Sequence, residues 1–300
     1  MFVTAWHSSY RLHLPDGHRF PMIKYELIPE QLLREGIIDK NHLFSPGIVP
    51  DPIIELTHCK SYWNSLKNLQ LTEKETRAIG FPLHDELILR ERILVQGTID
   101  CATFALKNGI AFNTAGGTHH ASFNRGEGFC LLNDQAIAAN WLLFTKQAKK
   151  IMIVDLDVHQ GNGTAQLFVG KPEVFTFSMH GKENYPLRKE NSDRDIELIT
   201  GINGYDYLAI LKREFISAAI EFAPDFIFYN AGVDVLATDK YGKLNLSPED
   251  CAERDRTVFE FCRAQKIPVT VCMGGGYSPN ISDIVNAHVN TFKMAAGIYE

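Results

Sequence analysis

Along residues 110–295, short apolar runs alternate with longer stretches whose apolar residues recur at helical spacing. The short runs predict strands at Ile110–Asn113, Ile151–Val154, Val174–Phe177, Phe226–Tyr229 and Val269–Cys272. Between them the pattern predicts helices over Asp134–Lys146, Tyr205–Phe222, Pro248–Gln265 and Asn280–Ala295. Ser247 followed by Pro248 is a good helix start, with serine as N-cap and proline at the first position. Strands that alternate with helices imply a mostly parallel sheet covered by helices, an α/β architecture. The first hundred residues carry helical patterns at Pro29–Glu35, Lys60–Leu69 and Leu87–Leu106 and no assignable strand.

Polar residues cluster where these strands end. Gly116-Gly117-Thr118-His119-His120 follows the first strand, and Asp155, Asp157 and His159 finish the second. Ser178-Met179-His180 finishes the third, Asn230 to Asp234 follow the fourth, and Gly274-Gly275-Gly276-Tyr277 follow the fifth. In open α/β sheets, ligands bind outside the carboxyl ends of the strands, so five such clusters at one edge point to an active site.

Composition narrows the setting. With 300 residues, 45% of them hydrophobic, the chain suits one large α/β domain spanning 1–300, and no repeat or linker divides it. A net charge of −6 suggests no general grip on nucleic acid or anionic membrane. Six cysteines without a CxxC fit reduced thiols, no signal pattern opens the chain, and no apolar stretch is long enough to span a bilayer. The expectation is a cytoplasmic protein.

Carboxylates are costly to bury unless paired or bound to metal, so Asp155, Asp157 and His159 after a buried strand imply an ion-pair network or a metal site. Alternate residues of an extended segment face one way, so Asp157 and His159 can reach one point. With Asp234 they make three N/O donors and leave a position for water, the set that catalytic zinc uses. A histidine pair beside such a site can supply a base for water and an acid for a leaving amine. Asp155 can orient one of the pair, and the Tyr277 hydroxyl can stabilise an oxyanion. The glycine loop before Tyr277 lacks the Gly-Lys-Ser/Thr ending of a phosphate-binding loop. Metal-assisted amide hydrolysis fits these parts best.

Four segments, GGTHHASFNRGEGFCLLND, IVDLDVHQGNG, YNAGVDVLATDKYGKLNLS and MGGGYSP, resemble the signature blocks of the histone deacetylase family, which has an arginase-like fold. The HQGNG turn and NAGVD segment resemble its class IV branch and bacterial relatives. The resemblance implies zinc, or alternatively ferrous iron, on Asp157, His159 and Asp234. It makes His120 the main general base and acid, His119 its electrostatic partner with Asp155 behind, and Tyr277 the donor to the scissile carbonyl. It also implies an acyl-lysine tunnel lined by Gly128, Phe129, Tyr185 and Gly275, and a structural potassium ion on Asp155, Asp157, His159, Ser178 and Met179. Arg19 matches an arginine of an internal acetate-release channel.

The implied substrate is an Nε-acyl-lysine, acetyl or longer fatty acyl, in a protein or peptide. A small acylated amine, a polyamine or an acetoin-utilisation-type molecule would need the same chemistry. A scaffold that binds acyl-lysine without cleaving it is the alternative of another class, and a dinuclear manganese ureohydrolase would need further bridging carboxylates. The acidic stretch Glu86–Glu91 reads as an exposed helix face.

Where better-known members pair an aspartate with the second histidine, this chain has Asn162, which orients an imidazole without offsetting its charge. The pKa of His120 should then be lower than with aspartate, favouring the neutral base. Asn162→Asp is therefore expected to move the pH–rate profile of kcat upward. An unchanged profile would remove Asn162 from that argument.

Overall fold

The computed structural model describes residues 2–299. Its strands are β1 (Val3–Ala5), β2 (Leu43–Phe44), β3 (Ile110–Asn113), β4 (Ile151–Asp155), β5 (Val174–Gly181), β6 (Arg194–Leu198), β7 (Phe226–Asn230) and β8 (Val269–Cys272). They form one sheet in the order β2-β1-β3-β8-β7-β4-β5-β6, and every pairing between them is parallel. The helices are α1 (Lys24–Arg34), α2 (Asp51–Ile54), α3 (Lys60–Lys67), α4 (Glu73–Ile79), α5 (Asp85–Asn108), α6 (Asp134–Phe144), α7 (Asn162–Phe168), α8 (Gly204–Phe222), α9 (Pro248–Gln265) and α10 (Ile281–Tyr299).

Because side chains alternate across a strand, the central strands feed two cores. Phe112, Met152, Val154, Ile227, Tyr229 and Val271 face α1, α8, α9 and α10 on one side. Ala111, Ile151, Ile153, Phe226 and Phe228 face α3, α5, α6 and α7 on the other. Strands buried on both faces read as continuous apolar runs, which is why they were visible in the sequence. β1, β2 and β6 were not predicted: two are very short, and β6 (RDIEL) is a polar edge strand. α1 begins at Lys24, ahead of the Pro29 start expected from the sequence, because Tyr25, Ile28 and Leu32 form its buried stripe. The stretch Glu86–Glu91 departs from the expected exposed face, since Arg90 and Glu91 are buried and paired within α5.

The register sets the level of the functional edge. Asn113 pairs with Cys272, Cys272 with Asn230, Asn230 with Asp155, and Asp155 with Ser178. Five neighbouring strands thus carry polar or sulfur side chains in one row at their carboxyl ends. β5 runs beyond the expected Phe177 to Gly181, so Ser178, Met179 and His180 lie within the strand. After β3 and β4 the chain crosses to α6 and α7 on one face, and after β7 and β8 to α9 and α10 on the other. Loops leaving adjacent strands in opposite directions open a crevice above them.

Helix starts tie down the loops beside that crevice. Asn133 caps α6 by accepting the Ala136 N–H at 3.0 Å, while its amide donates to Ala121 O and Thr164 Oγ1. Ser247 and Asp250 form a capping box on α9. From α9, the buried Arg254 donates to the carbonyls of Leu156, at 3.2 Å, and Gly232, at 2.5 Å. Those carbonyls belong to the loops that follow β4 and β7. Asp255 neutralises Arg254 and accepts from Thr291 and Tyr229. Arg254→Met should cost about 3–5 kcal/mol by leaving Asp255 buried and unpaired, read from the denaturant midpoint. Adding Asp255→Asn should recover part of it, and a loss below about 1 kcal/mol would rule out a structural role for the pair.

Candidate active site

Asp157, His159 and Asp234 converge above β4 and β7, with one ligand atom from each lying within 4.8 Å of the others. His159 Nδ1 is 3.0 Å from Asp157 Oδ1 and 3.1 Å from Asp234 Oδ2. Asp157 accepts the Gly275 N–H at 2.8 Å and the His159 N–H at 3.0 Å, and Asp234 accepts the Val158 N–H at 2.9 Å. Both carboxylates are buried. The residues fit a divalent ion: two carboxylates and one imidazole gathered at one point are hard and borderline donors of the kind zinc takes. Gly275 clears the space, because a Cβ there would collide with Asp234 Oδ2 and approach Asp157 Oδ2 to 2.8 Å.

Without a metal, protons must offset this charge. Burial opposes charge on His159, but its bonds to Asp157 and Asp234 outweigh that and raise its pKa to about 10. Burial and the neighbouring Asp157 push Asp234 up to about 7. Burial works against the charge of Asp157 too, yet His119 and His159 hold it well below the usual carboxylate range.

The histidine pair sits beside this cluster, its ring centroids 4.1 Å apart. His119 Nδ1 lies 2.6 Å from Asp155 Oδ2, and Asp155 also accepts from the Asn230 amide at 3.0 Å and the Asp157 N–H at 3.1 Å. Burial disfavours the His119 cation, but Asp155 and Asp157 raise its pKa to about 9. His120 Nδ1 lies 2.6 Å from Asn162 Oδ1. Burial, then the charges of His119 and His159, push His120 well below the ordinary histidine value, and the Asn162 bond recovers only part. Two adjacent imidazoles are thus driven in opposite directions.

Tyr277 follows the glycine loop, its ring centroid 6.4 Å from that of His159. Burial and the charges of Asp157 and Asp234 raise its hydroxyl well above the usual phenol range, so it stays a donor. Asp239 accepts the Tyr277 N–H at 2.6 Å and those of Tyr241 and Gly242 at 2.8 Å, fixing the loop. Lys24, fully buried, donates to Gly274 O at 2.8 Å from the other side.

Two cavities meet at this cluster. The outer one, about 320 Å³, is lined by Phe129, Tyr185, Tyr241 and Tyr277, with His120 and His159 at its floor and Arg19, Glu183 and Lys243 at its rim. Tyr185 stands perpendicular to His120, with centroids 5.0 Å apart. The inner one, about 40 Å³, is lined by Phe20, Phe81, Phe129, Arg90 and the glycine loops, Gly275 among them. Gly128 lines both. Arg19 departs from its expected internal place: it lies at the outer rim, its guanidinium 4.9 Å above the Phe129 ring, and the arginine facing the inner cavity is Arg90. Ser178 and Met179 are buried on β5, with Ser178 in register with Asp155 and its hydroxyl 2.9 Å from His180 Nδ1.

Sequence reasoning missed Glu127, Asn230, Asp239, Lys24 and Arg254. Glu127 accepts the Asn162 amide at 2.5 Å, so a carboxylate stands behind the neutral partner of His120. Asn230, Glu127 and Asp239 lay inside the segments already singled out, and nothing in their spacing revealed their partners.

Residues 18–292 match the family model described as the histone deacetylase domain. An uncharacterized protein of Picosynechococcus sp. is 41% identical over 298 residues, 99% of each chain. Histone deacetylase 2 of Arabidopsis thaliana is 28% identical over 89% of this chain and 72% of its own. The acetoin utilization protein AcuC of Staphylococcus xylosus is 27% identical over 73% of this chain and 63% of its own. The crystal structure of the HDA15 HD domain has a TM-score of 0.83 over 98% of this chain and 91% of that one, at 20% identity, a likeness of fold.

The raised His159, His119 and Asp234 values give the metal-free protein a pH dependence with one sign. A histidine whose folded pKa is raised stabilises fully below its unfolded value, near 6.5, and loses that contribution as pH climbs through the folded value. A buried carboxyl raised to about 7 likewise favours folding only while protonated. Tm of chelator-treated protein should therefore fall from pH 6.5 toward 8, above which the lowered pKa of Lys24 begins to oppose the decline. Zinc should flatten the decline, because the metal replaces the protons. A zinc-independent profile would count against this donor set.

Proposed function

Because the chain belongs to the histone deacetylase family, we propose that it hydrolyses the amide of an Nε-acyl-lysine in a protein or peptide, and that acetyl is its preferred acyl group. The observation that carries the reading is the histidine pair, one backed by Asp155 and the other by Asn162, at the floor of an aromatic-walled cavity beside three converging metal donors. A zinc ion held by Asp157, His159 and Asp234 would supply Lewis acidity toward the carbonyl and acidify water. The HQGNG turn supports a place near the class IV branch.

The residues of the chain divide the remaining work. His120, neutral and protonated on Nδ1 against Asn162 Oδ1, keeps its Nε2 lone pair free to take a proton from water. His119, held charged by Asp155, adds positive potential beside the reacting carbonyl. Tyr277 donates its hydroxyl hydrogen to the carbonyl oxygen as that oxygen gains charge. As the carbon–nitrogen bond breaks, the proton on His120 passes to the leaving lysine nitrogen, and an amine and a carboxylate result. Phe129 and Tyr185 flank the aliphatic stem of the lysine and exclude water from the cavity.

The acyl preference follows from the inner cavity. Beyond the donors, only about 40 Å³ is open, and Phe20, Phe81 and Phe129 close it with centroids 5.1–5.2 Å apart. An acetyl methyl enters without moving these rings, whereas a long acyl chain must displace them. At the rim Lys243 is paired with Glu183 at 3.7 Å, which leaves the charge of Arg19 to work against polycationic polyamines.

The test is amine release from one lysine peptide carrying acetyl or dodecanoyl, by zinc-loaded protein, with Asp157→Ala as blank. Acetyl should be cleaved faster and the blank should be inactive. Faster dodecanoyl cleavage would overturn the acyl preference, and no cleavage of either would overturn the lysine assignment.

A further inference from the structure

We propose that Glu127 is a positioning residue for His120: its carboxylate locks the Asn162 amide in the one orientation that leaves His120 Nε2 unprotonated toward the substrate. The inference rests on His120 being the base of the proposed reaction, and goes beyond it by adding a third member behind that histidine.

A side-chain amide has two ends with opposite hydrogen-bonding character, and nothing intrinsic to asparagine decides which faces its partner. Here the environment decides. Asn162 opens α7, with its amide between the His120 ring and the Glu127 side chain. A carboxylate only accepts, so the amide NH₂ must face Glu127 Oε1, 2.5 Å away. The amide oxygen is then left facing His120 Nδ1 at 2.6 Å. An amide oxygen also only accepts, so Nδ1 must carry the hydrogen and Nε2 the lone pair. If the amide turned over, its NH₂ would face Nδ1, the hydrogen would move to Nε2, and the neutral imidazole could not act as a base there.

Glu127 is itself held in place. Its side chain is only 17% exposed, Arg125 Nε lies 3.7 Å from Oε2, and its backbone carbonyl accepts the Cys130 N–H at 2.9 Å. The next residue, Gly128, packs against His120: a Cβ there would come 2.6 Å from Cδ2 of that ring. The short Ser122–Cys130 loop thus supplies both a contact for the histidine and the anchor for its partner. An aspartate at position 162 would need no such anchor, because its two oxygens are equivalent. This explains how a chain with asparagine there can still present a defined tautomer.

Three variants and one spectroscopic readout separate this role from simple packing. Glu127→Ala should lower kcat on acetyl-lysine peptide about tenfold, the fold-change carried by one hydrogen bond, with KM within about twofold. Glu127→Gln, which can still offer an oxygen to the amide, should recover most of that loss. In an Asn162→Asp background, Glu127→Ala should instead leave kcat unchanged or raise it, because Glu127 there faces a second carboxylate. The equilibrium readout needs no turnover: in ¹⁵N-histidine-labelled protein, the His120 signal should report hydrogen on Nδ1 in the wild type and a mixture of tautomers in Glu127→Ala. Equal losses in both backgrounds, with an unchanged tautomer, would overturn the proposal and leave Glu127 as a packing residue. An enzyme inactive on every acyl-lysine would defeat the proposed function, while the tautomer measurement would still decide the role of Glu127.

Discussion

Two carboxylates that cannot both be left bare govern this structure. Asp157 and Asp234 are buried side by side, and in the metal-free protein the group balancing them directly is the His159 imidazole between them. Burying unpaired charge costs more than a domain can spare, so such a pair persists only where something compensates it. The surroundings are built for that. Gly275 presents an N–H rather than a side chain, Val158 presents another, and Arg254 and Lys24 fix the loops through backbone carbonyls while bringing positive charge near. Burial brings Lys24 down to about 8, and the same two aspartates limit that fall. The site stores negative potential, and a divalent cation is the group that discharges it most completely.

The sheet makes this concentration affordable. The parallel strands β3, β8, β7 and β4 end at one level, with Ser178 of the longer β5 in the same row. The loops after β3 and β4 turn to one face and those after β7 and β8 to the other. The apolar bodies of the strands fill both cores, and the metal donors and the histidine pair lie in the loops just after the row. Asp155 and Asn230 are paired neighbours in that row on the same face, so one can brace the other beneath His119 without distorting a strand.

This division also explains what the sequence revealed. Central strands such as IMIVD and FIFYN are buried on both sides, so their apolar runs stood out, and the polar residues closing them marked the functional edge. Edge strand β6 and the short β1 and β2 bury too little to leave a pattern, and the glycines at the start of α7 hid the helix that carries Asn162. The donors and the histidine pair were legible because their chemistry is unusual at strand ends. Glu127, Asp239 and Arg254 were not, because each acts through at least one partner distant in sequence and looks like any surface charge until the chain is folded. Arg19 was misplaced for the same reason: a sequence position fixes a residue's neighbours along the chain, but which cavity its side chain faces depends on the loop it rides on.

The histidine pair makes that point most sharply. His119 and His120 are chemically identical, adjacent and equally buried, yet one is held charged and the other neutral. The difference lies in what each Nδ1 meets. Asp155 offers His119 a carboxylate oxygen directly, whereas Asn162 offers His120 an amide dipole and places the carboxylate of Glu127 one residue further back. A catalytic base must be unprotonated when water arrives and must release its proton again when the amine leaves, which an imidazole clamped to a buried aspartate does poorly. In the proposed reaction the neutral partner would select His120 for proton transfer and leave His119 to supply field. The amide would then have to be held in one orientation, the task proposed for the carboxylate of Glu127.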